Sequence, residues 1–427
     1  MFSTGFPRRA AIATAGLAAT ALVLTGCGRS DPGTAQESVA VIDDSPATGK
    51  ITIWAAANEG KALSALAEEF KKTNPDVTIT VTPVSFDELP RKIDTAIASG
   101  QVPDIIQPST GLQSFVAAKG IAPVPKGVVD NSEFFDAAVE AVTFDGVQYA
   151  VPWYVTVQSF YYRADLAQRA GVKAPTTWAE ALTFGKALQS AGAANGTYIG
   201  PRGTIAWQTI LPMIYQSGGT VVKDGKFTFD TPEVVRALDH YQAFFRDRIS
   251  NPQTAYTAPG EMEASFANGT VGSYLTGSYS YDLALDALGG DPSKLAVATL
   301  PAGPATGAGY LGGSGLAVMA DSDNQETAWK FLRHVSSPES QDAAYQVAGV
   351  LPAARAPWTS GAVAKSPTAK TFAAQLEQSI PLPRVLTWTE IRDLLATYAE
   401  RLARGVTTPQ DAAAAIQAEA EKIGTGQ

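Results

Sequence analysis

The stretch "ITIWAAANEGKALSALAEEFKKTNPDVTITVT", residues 51–82, decides the fold. Ile51 to Trp54 has the alternation of a strand. Leu63, Leu66, Ala67 and Phe70 then recur at helical spacing, with charged residues on the opposite face. Asn74-Pro75-Asp76 stops that helix, and "VTITVT" from Val77 alternates apolar residues with threonine, a strand with one buried face. Strand, helix and strand in so short a span make a βαβ unit, so the two strands should run parallel. Downstream, Leu89, Ile93 and Ile97 share one helical face behind the candidate caps Ser85 and Asp87, and Gly100 ends that helix. "VPDIIQ", residues 102–107, reads as a third strand. The class is α/β, with an open sheet.

In open α/β sheets ligands gather beyond the carboxyl ends of the strands. Those ends are "AANEG" (56–60), "SFDE" (85–88) and "QPSTG" (107–111). Their candidate ligand contacts are Asn58, Glu59, Phe86, Ser109 and Thr110. Asn58, Ser85 and Ser109 could equally serve as helix caps; the convergence of three polar loops is the stronger signal. Asp104 follows Val102-Pro103 and reads as an anchor for the third strand's loop.

Working back toward the start, Arg8 and Arg9 precede an apolar run from Ala10 to Leu24, and Cys27 is the only cysteine in 427 residues. The run is shorter than the ~20 residues that span a bilayer, so residues 1–26 read as an export signal that is removed. Leu24-Thr25-Gly26-Cys27 resembles the lipobox of bacterial lipoproteins, which implies acylation of Cys27. Anchoring would then be by lipid alone, to the outer face of the cytoplasmic membrane. Pro7-Arg8-Arg9 leaves both the general secretory and the twin-arginine route open. Residues 27–49 read as the lipidated N-terminus and a flexible tether.

About 375 residues remain, more than one core usually supports, so two lobes are expected. Removing residues 1–26 takes away two arginines and no acids, so the formal charge of -9 becomes -11. An acidic chain without a basic cluster excludes nucleic acid as a partner. The two histidines, His240 and His334, lie in amphipathic helical patterns without a metal-spaced partner, so no metal and no cofactor are expected. Gly307-Ala-Gly309 to Gly312 fits G-x-G-x-x-G, but prolines precede it and a strand pattern follows, which is the wrong context for a dinucleotide loop.

In the middle of the chain, "YAVPWYVTVQSFYYR" (149–163) reads as a strand ending at Pro152, a turn-like Trp153-Tyr154 pair and a second strand. "TIAWQTILPMIYQSGG" puts Trp207 near a helix start, and "FANGTVGSYLTGSYSYD" puts Gly277, Ser278 and Tyr279 between a strand and a helix. "GYLGGSGLAVMA" sets Gly313 and Ser314 before a strand. From residue 390, two amphipathic helices should brace the second lobe.

Taken in order, the lipobox, "ITIWAAANEG", "EEFKKTNPDVTITV", "VPDIIQ", "YAVPWYVTVQSFYYR", "SGGTVV", "FANGTVGSYLTGSY", "GGSGLAV", "AWKFLRHVSSPESQ" and "GVLPAA" resemble the maltose-binding-like solute-binding proteins of carbohydrate ABC importers. The resemblance implies a two-lobe periplasmic-binding-protein fold with a hinged cleft. It implies one lobe of 50–155 plus 315–356 and another of 160–312 plus 358–427. It also implies a monomer that closes over a mono- or oligosaccharide or sugar-like polyol and passes it to permease subunits. Within it, Trp153, Tyr154, Trp207 and Tyr279 become candidates to stack on a sugar's C–H faces. Gly277-Ser278 and Gly313-Ser314 become loops where backbone approaches the ligand. Trp54, Trp178 and Trp329 are assigned to the core, and Trp358 and Trp388 are left open. Arg384, in "PLPRVLTW", is the residue that would fork to a phosphate, because members that take glycerophosphodiesters use an arginine in a similar segment. A glycerophosphodiester is therefore the alternative ligand. A rival of another class is an exported glycoside hydrolase using two of Glu59, Asp87, Asp104 and Glu261; a binder of peptides or polyamines is a third reading.

Overall fold

Strand β1 (Gly49–Ala56) pairs in parallel with β2 (Val77–Val84) along its whole length, Gly49 opposite Val77 and Ala56 opposite Val84. The helix Ala57–Lys71 joins them, burying Leu63, Leu66, Ala67 and Phe70 as the spacing predicts. On the other side of β1 lies β3 (Ile105–Ile106), also parallel. These elements come from a computed structural model that describes residues 42–85, 88–108, 111–256 and 260–426. The export signal and Cys27 lie outside the described residues.

The third strand is two residues long where six were expected. Pro103 has no N–H to give a ladder, and Asp104 turns its side chain to anchoring. Its carboxylate accepts from the Thr52 amide (2.7 Å), the Ser322 hydroxyl (2.6 Å) and the Asn324 amide group (3.0 Å).

A hairpin of β4 (Thr143–Phe144) and β5 (Val147–Gln148) leads into β6 (Val151–Arg163), thirteen residues long and buried on both faces. A second hairpin, β7 (Val222–Lys223) and β8 (Lys226–Phe227), is followed by β9 (Ser273–Gly277), β10 (Leu295–Ala298) and β11 (Leu311–Val318). The main sheet runs β10-β6-β11-β3-β1-β2, with β9 also paired to β6. Its first half of β6 pairs antiparallel with β11, and its second half with β9 and β10.

Trp153 and Tyr154 therefore do not form a turn; they sit inside one continuous strand. The ladder slips between Ser314, opposite Tyr154, and Gly315, opposite Pro152, which leaves Trp153 as the extra residue of a bulge. A bulge is one of the few places where a central strand accepts proline, because the missing N–H costs no ladder bond there.

Two large cores flank this strand. The first joins Ile51, Ile53, Leu63, Phe70, Trp153, Leu316, Trp329 and Phe331. The second joins Trp207, Ile210, Phe229, Leu238, Tyr241, Ile391, Leu395 and Ile416. The helices Trp388–Ala403 and Pro409–Ile423 supply the last of these, as the C-terminal periodicity predicts. A third cluster, including Phe134, Val157, Tyr161, Tyr274, Trp358 and Phe372, spreads along β6 between them.

The end of the expected tether is packed. Ile42 and Ala47 join the first core, and Lys330, with its side chain 6% exposed, bonds Asp43 (2.7 Å), Glu326 (2.8 Å) and Ser45 (2.8 Å). Residues 42–49, expected in the tether, are thus packed against the first core, because two apolar residues and one nearly buried ammonium hold the segment down. Among the described residues no helix is long and apolar enough to cross a membrane.

Candidate functional site

Beyond the carboxyl ends of β1 and β3, three side chains meet. Gln107 is fully buried; its Oε1 accepts from the Ala56 amide (3.0 Å) and its Nε2 donates to the Tyr154 hydroxyl at 3.5 Å. Glu59, in the first turn of helix Ala57–Lys71, lies beside the same hydroxyl. Burial, and then the Glu59 carboxylate, push the Tyr154 phenol well above its ordinary pKa. The hydroxyl therefore stays protonated, a hydrogen-bonding group between an amide and an acid. Asn58 shares that first turn, but its side chain lies outside the described residues, as do Phe86, Ser109 and Thr110.

Across the ladder, Ser314 faces Tyr154, half-buried, its hydroxyl donating to the Gly315 carbonyl at 3.1 Å. Gly313 has φ +111°, and a Cβ there would lie 2.2 Å from the Tyr154 carbonyl oxygen, so only glycine fits.

Four residues further along β6, where Gln158 pairs with Gly277, the chemistry changes. Tyr279 is 62% exposed, with its ring laid on Gly277: a Cβ at Gly277 would lie 2.4 Å from the ring's Cε1. Its hydroxyl accepts from Thr276 Oγ1 at 3.2 Å. Ser278 is buried and accepts from the Val157 amide at 3.4 Å, which ties this loop to the central strand. Trp207, 5% exposed, packs 5.6 Å from Tyr310 and 5.6 Å from Trp388, the latter pair nearly perpendicular at 87°. Burial and then the neighbouring Tyr279 raise the Tyr310 phenol. Tyr310, Trp207 and Trp388 thus form one aromatic group, and the exposed Tyr279 lies within electrostatic reach of Tyr310.

Two expected site residues lie elsewhere. Trp153 is 1% exposed and belongs to the first core, so its ring offers no face to a ligand. Arg384 donates to the backbone carbonyl of Glu140 (2.7 Å), lies 3.3 Å from that residue's carboxylate and sits over the Phe144 ring. Sequence reasoning missed Tyr310 and Gln107 and left Trp388 open. Signals existed: Tyr310 stands two residues before the glycine pair, Gln107 opens a polar strand-end loop, and Trp388 follows Arg384 by four residues.

Neither histidine joins this site. His240 stacks on Trp178 at 4.2 Å and 5°, and burial drives its pKa down to about 3. His334 packs on Phe70 in the first core region, also lowered by burial. Among the described residues no three His, Cys, Asp or Glu side chains are grouped to hold a metal. Asp104 has both carboxylate oxygens engaged in structural bonds.

Residues 55–342 match the bacterial extracellular solute-binding proteins, and the chain belongs to that family. Its fold is the two-lobe architecture of the sugar-binding protein MalE from Xanthomonas citri, with a TM-score of 0.81 and 25% identity over 88% of this chain and 97% of that one. The diacetylchitobiose-binding protein DasA of Streptomyces coelicolor is 24% identical over 97% of this chain and 98% of its own. The sn-glycerol-3-phosphate-binding periplasmic protein UgpB of Salmonella typhimurium is 26% identical over 83% of this chain and 87% of its own.

Proposed function

We propose that the protein captures a neutral mono- or oligosaccharide, or a sugar-like polyol, in a cleft between two lobes and delivers it unchanged to the permease of an ABC importer. The lobes are residues 50–155 with 315–356, and 160–312 with 358–427. Residues 42–49 are packed onto the first lobe. Acylated Cys27 holds the monomeric protein at the outer face of the cytoplasmic membrane.

The carrying observation is Tyr279. A tyrosine ring set against a glycine, 62% exposed and within electrostatic reach of Tyr310, offers an open aromatic face. A sugar ring fits it: its C–H face covers the aromatic ring, while its hydroxyls need donors and acceptors such as Glu59, Gln107 and Tyr154. Unmet buried polar groups are costly, so those residues would reject solutes lacking hydroxyls. Asn58, Phe86, Ser109 and Thr110 belong to the same strand-end loops and are proposed to complete the contacts.

The UgpB likeness keeps a phosphorylated glycerol compound as the second reading, and Arg384 as its anchor. Against it stands the bond of Arg384 to Glu140. Calorimetric titration with maltose, maltotetraose, diacetylchitobiose and sn-glycerol 3-phosphate decides. Saturable one-to-one binding of a neutral carbohydrate is expected. Binding of glycerol phosphate alone, or cleavage of an oligosaccharide on long incubation, overturns the proposal.

A further inference from the structure

The Arg384 contact joins residues 244 apart in sequence. Arg384 lies in the segment that enters helix Trp388–Ala403, and its neighbours Val385 and Trp388 are buried in the second core. Glu140 lies in the last turn of the short helix Asp136–Ala141, just before the β4–β5 hairpin. Phe144, under the guanidinium at 5.7 Å, packs against the cluster of Leu89, Ile93, Ile106 and Phe115 beside β3. One side chain of the second lobe therefore touches a helix end, a carboxylate and an aromatic face of the first.

The short helix is held at its other end too. Arg355, at the crossing near Ala356, donates from Nε to the Phe134 carbonyl (2.8 Å) and pairs with Asp136 (3.1 Å) and Glu377. Arg355 grips the start of the helix and Arg384 its end. A cation at a helix C-terminus is also favoured by the dipole there. Glu140 faces a third group: it lies near the buried phenol of Tyr215, whose hydroxyl donates to the Pro381 carbonyl at 3.4 Å.

We propose that Arg384 is a positioning residue for ligand capture, which acts through Glu140 and Phe144 as a latch holding the two lobes together. This rests on the two-lobe reading above, but not on which solute is bound. Both members of the ion pair are partly exposed, so that pair alone would hold little. The backbone acceptor and the aromatic face add to it, and an opening equilibrium shifts measurably with small differences between its states. Arg384 then sets affinity by populating the competent arrangement, not by touching the ligand.

Two measurements on the whole protein test this. The first is calorimetric affinity for maltotetraose and diacetylchitobiose; the second is the radius of gyration by X-ray scattering, without ligand, in low and high salt. Arg384→Ala is expected to weaken binding ~3–10-fold and to expand the unliganded protein; Glu140→Gln, which keeps the backbone acceptor and the Phe144 face, is expected to do both to a smaller degree. Both should also remove a salt dependence seen in the wild type. Arg384→Lys, which keeps a cation and a donor for the Glu140 carbonyl, should restore most of the loss, which Arg384→Gln should not. Weakening by Arg384→Ala with an unchanged unliganded radius of gyration would overturn the latch, since Arg384 would then touch the ligand. Unchanged scattering in every variant overturns it as well. If the wild type binds neither sugar, the carbohydrate reading falls, and scattering alone judges the latch.

Discussion

Two places along β6, at Tyr154 and opposite Gly277, meet solvent in opposite ways. Near Tyr154 the site is polar, buried and already bonded, with Gln107 holding both the Ala56 amide and the phenol. Near Gly277 it is aromatic and partly open, with Tyr279 set against a glycine and Trp207, Trp388 and the partly buried Tyr310 packed together nearby. The polar end is preorganised: its hydrogen bonds are fixed before a solute arrives and can discriminate hydroxyl geometry. The aromatic end offers area and water exclusion, which discriminate less sharply. Specificity and grip would thus reside in different lobes.

The largest blow to this contrast is Trp207→Ala. Trp207 is a floor for the aromatic end and also a member of the second core, so truncation should cost about 3–5 kcal/mol of stability. Chemical denaturation measures it; a loss under about 1 kcal/mol would mean that the ring is not core. Acidification comes next and should single out the second lobe. The folded pKa of His240, about 3, lies below its unfolded value near 6.5. Its contribution is complete above pH 6.5 and is lost as pH falls toward 3, by ~3 kcal/mol at pH 4.5. His240→Asn should flatten the denaturation-versus-pH curve over that window.

Gly313→Ala follows, at about 1–3 kcal/mol, because φ +111° and the Tyr154 carbonyl leave no room for a methyl group. Its effect should appear in thermal unfolding, with the polar end displaced. The smallest effect on the fold sharpens the contrast most. Tyr279→Ala should leave stability within ~0.5 kcal/mol, yet weaken carbohydrate binding ~10-fold, worth about 1.4 kcal/mol. Equal affinity would remove the aromatic end from the site.

Much of the frame was readable in residues 51–107, because period-two and helical spacings there answer to burial on one face. Gly277 was readable too, since it closes a strand ahead of a helix; Gly313 was expected before a strand and instead lies inside β11, paired with Val155. Trp153 was misread because a proline beside two aromatics looks like a chain reversal; only the slipped pairing with β11 shows how a strand absorbs it. Arg384 was legible as an unusual charge but not in its role, because its partner Glu140 is set by tertiary folding alone. The same limit hid the hold of Lys330 on residues 43–45, formed by a helix far along the chain.

The slip at Trp153 has a mechanical side. Every other pair along β6 and β11 is regular, so the kink and added twist that a bulge brings fall at this one point. A sheet that carries its own pivot needs no flexible linker to let its halves swing. Deleting a single residue there would stiffen the joint more than enlarging or trimming any side chain around it.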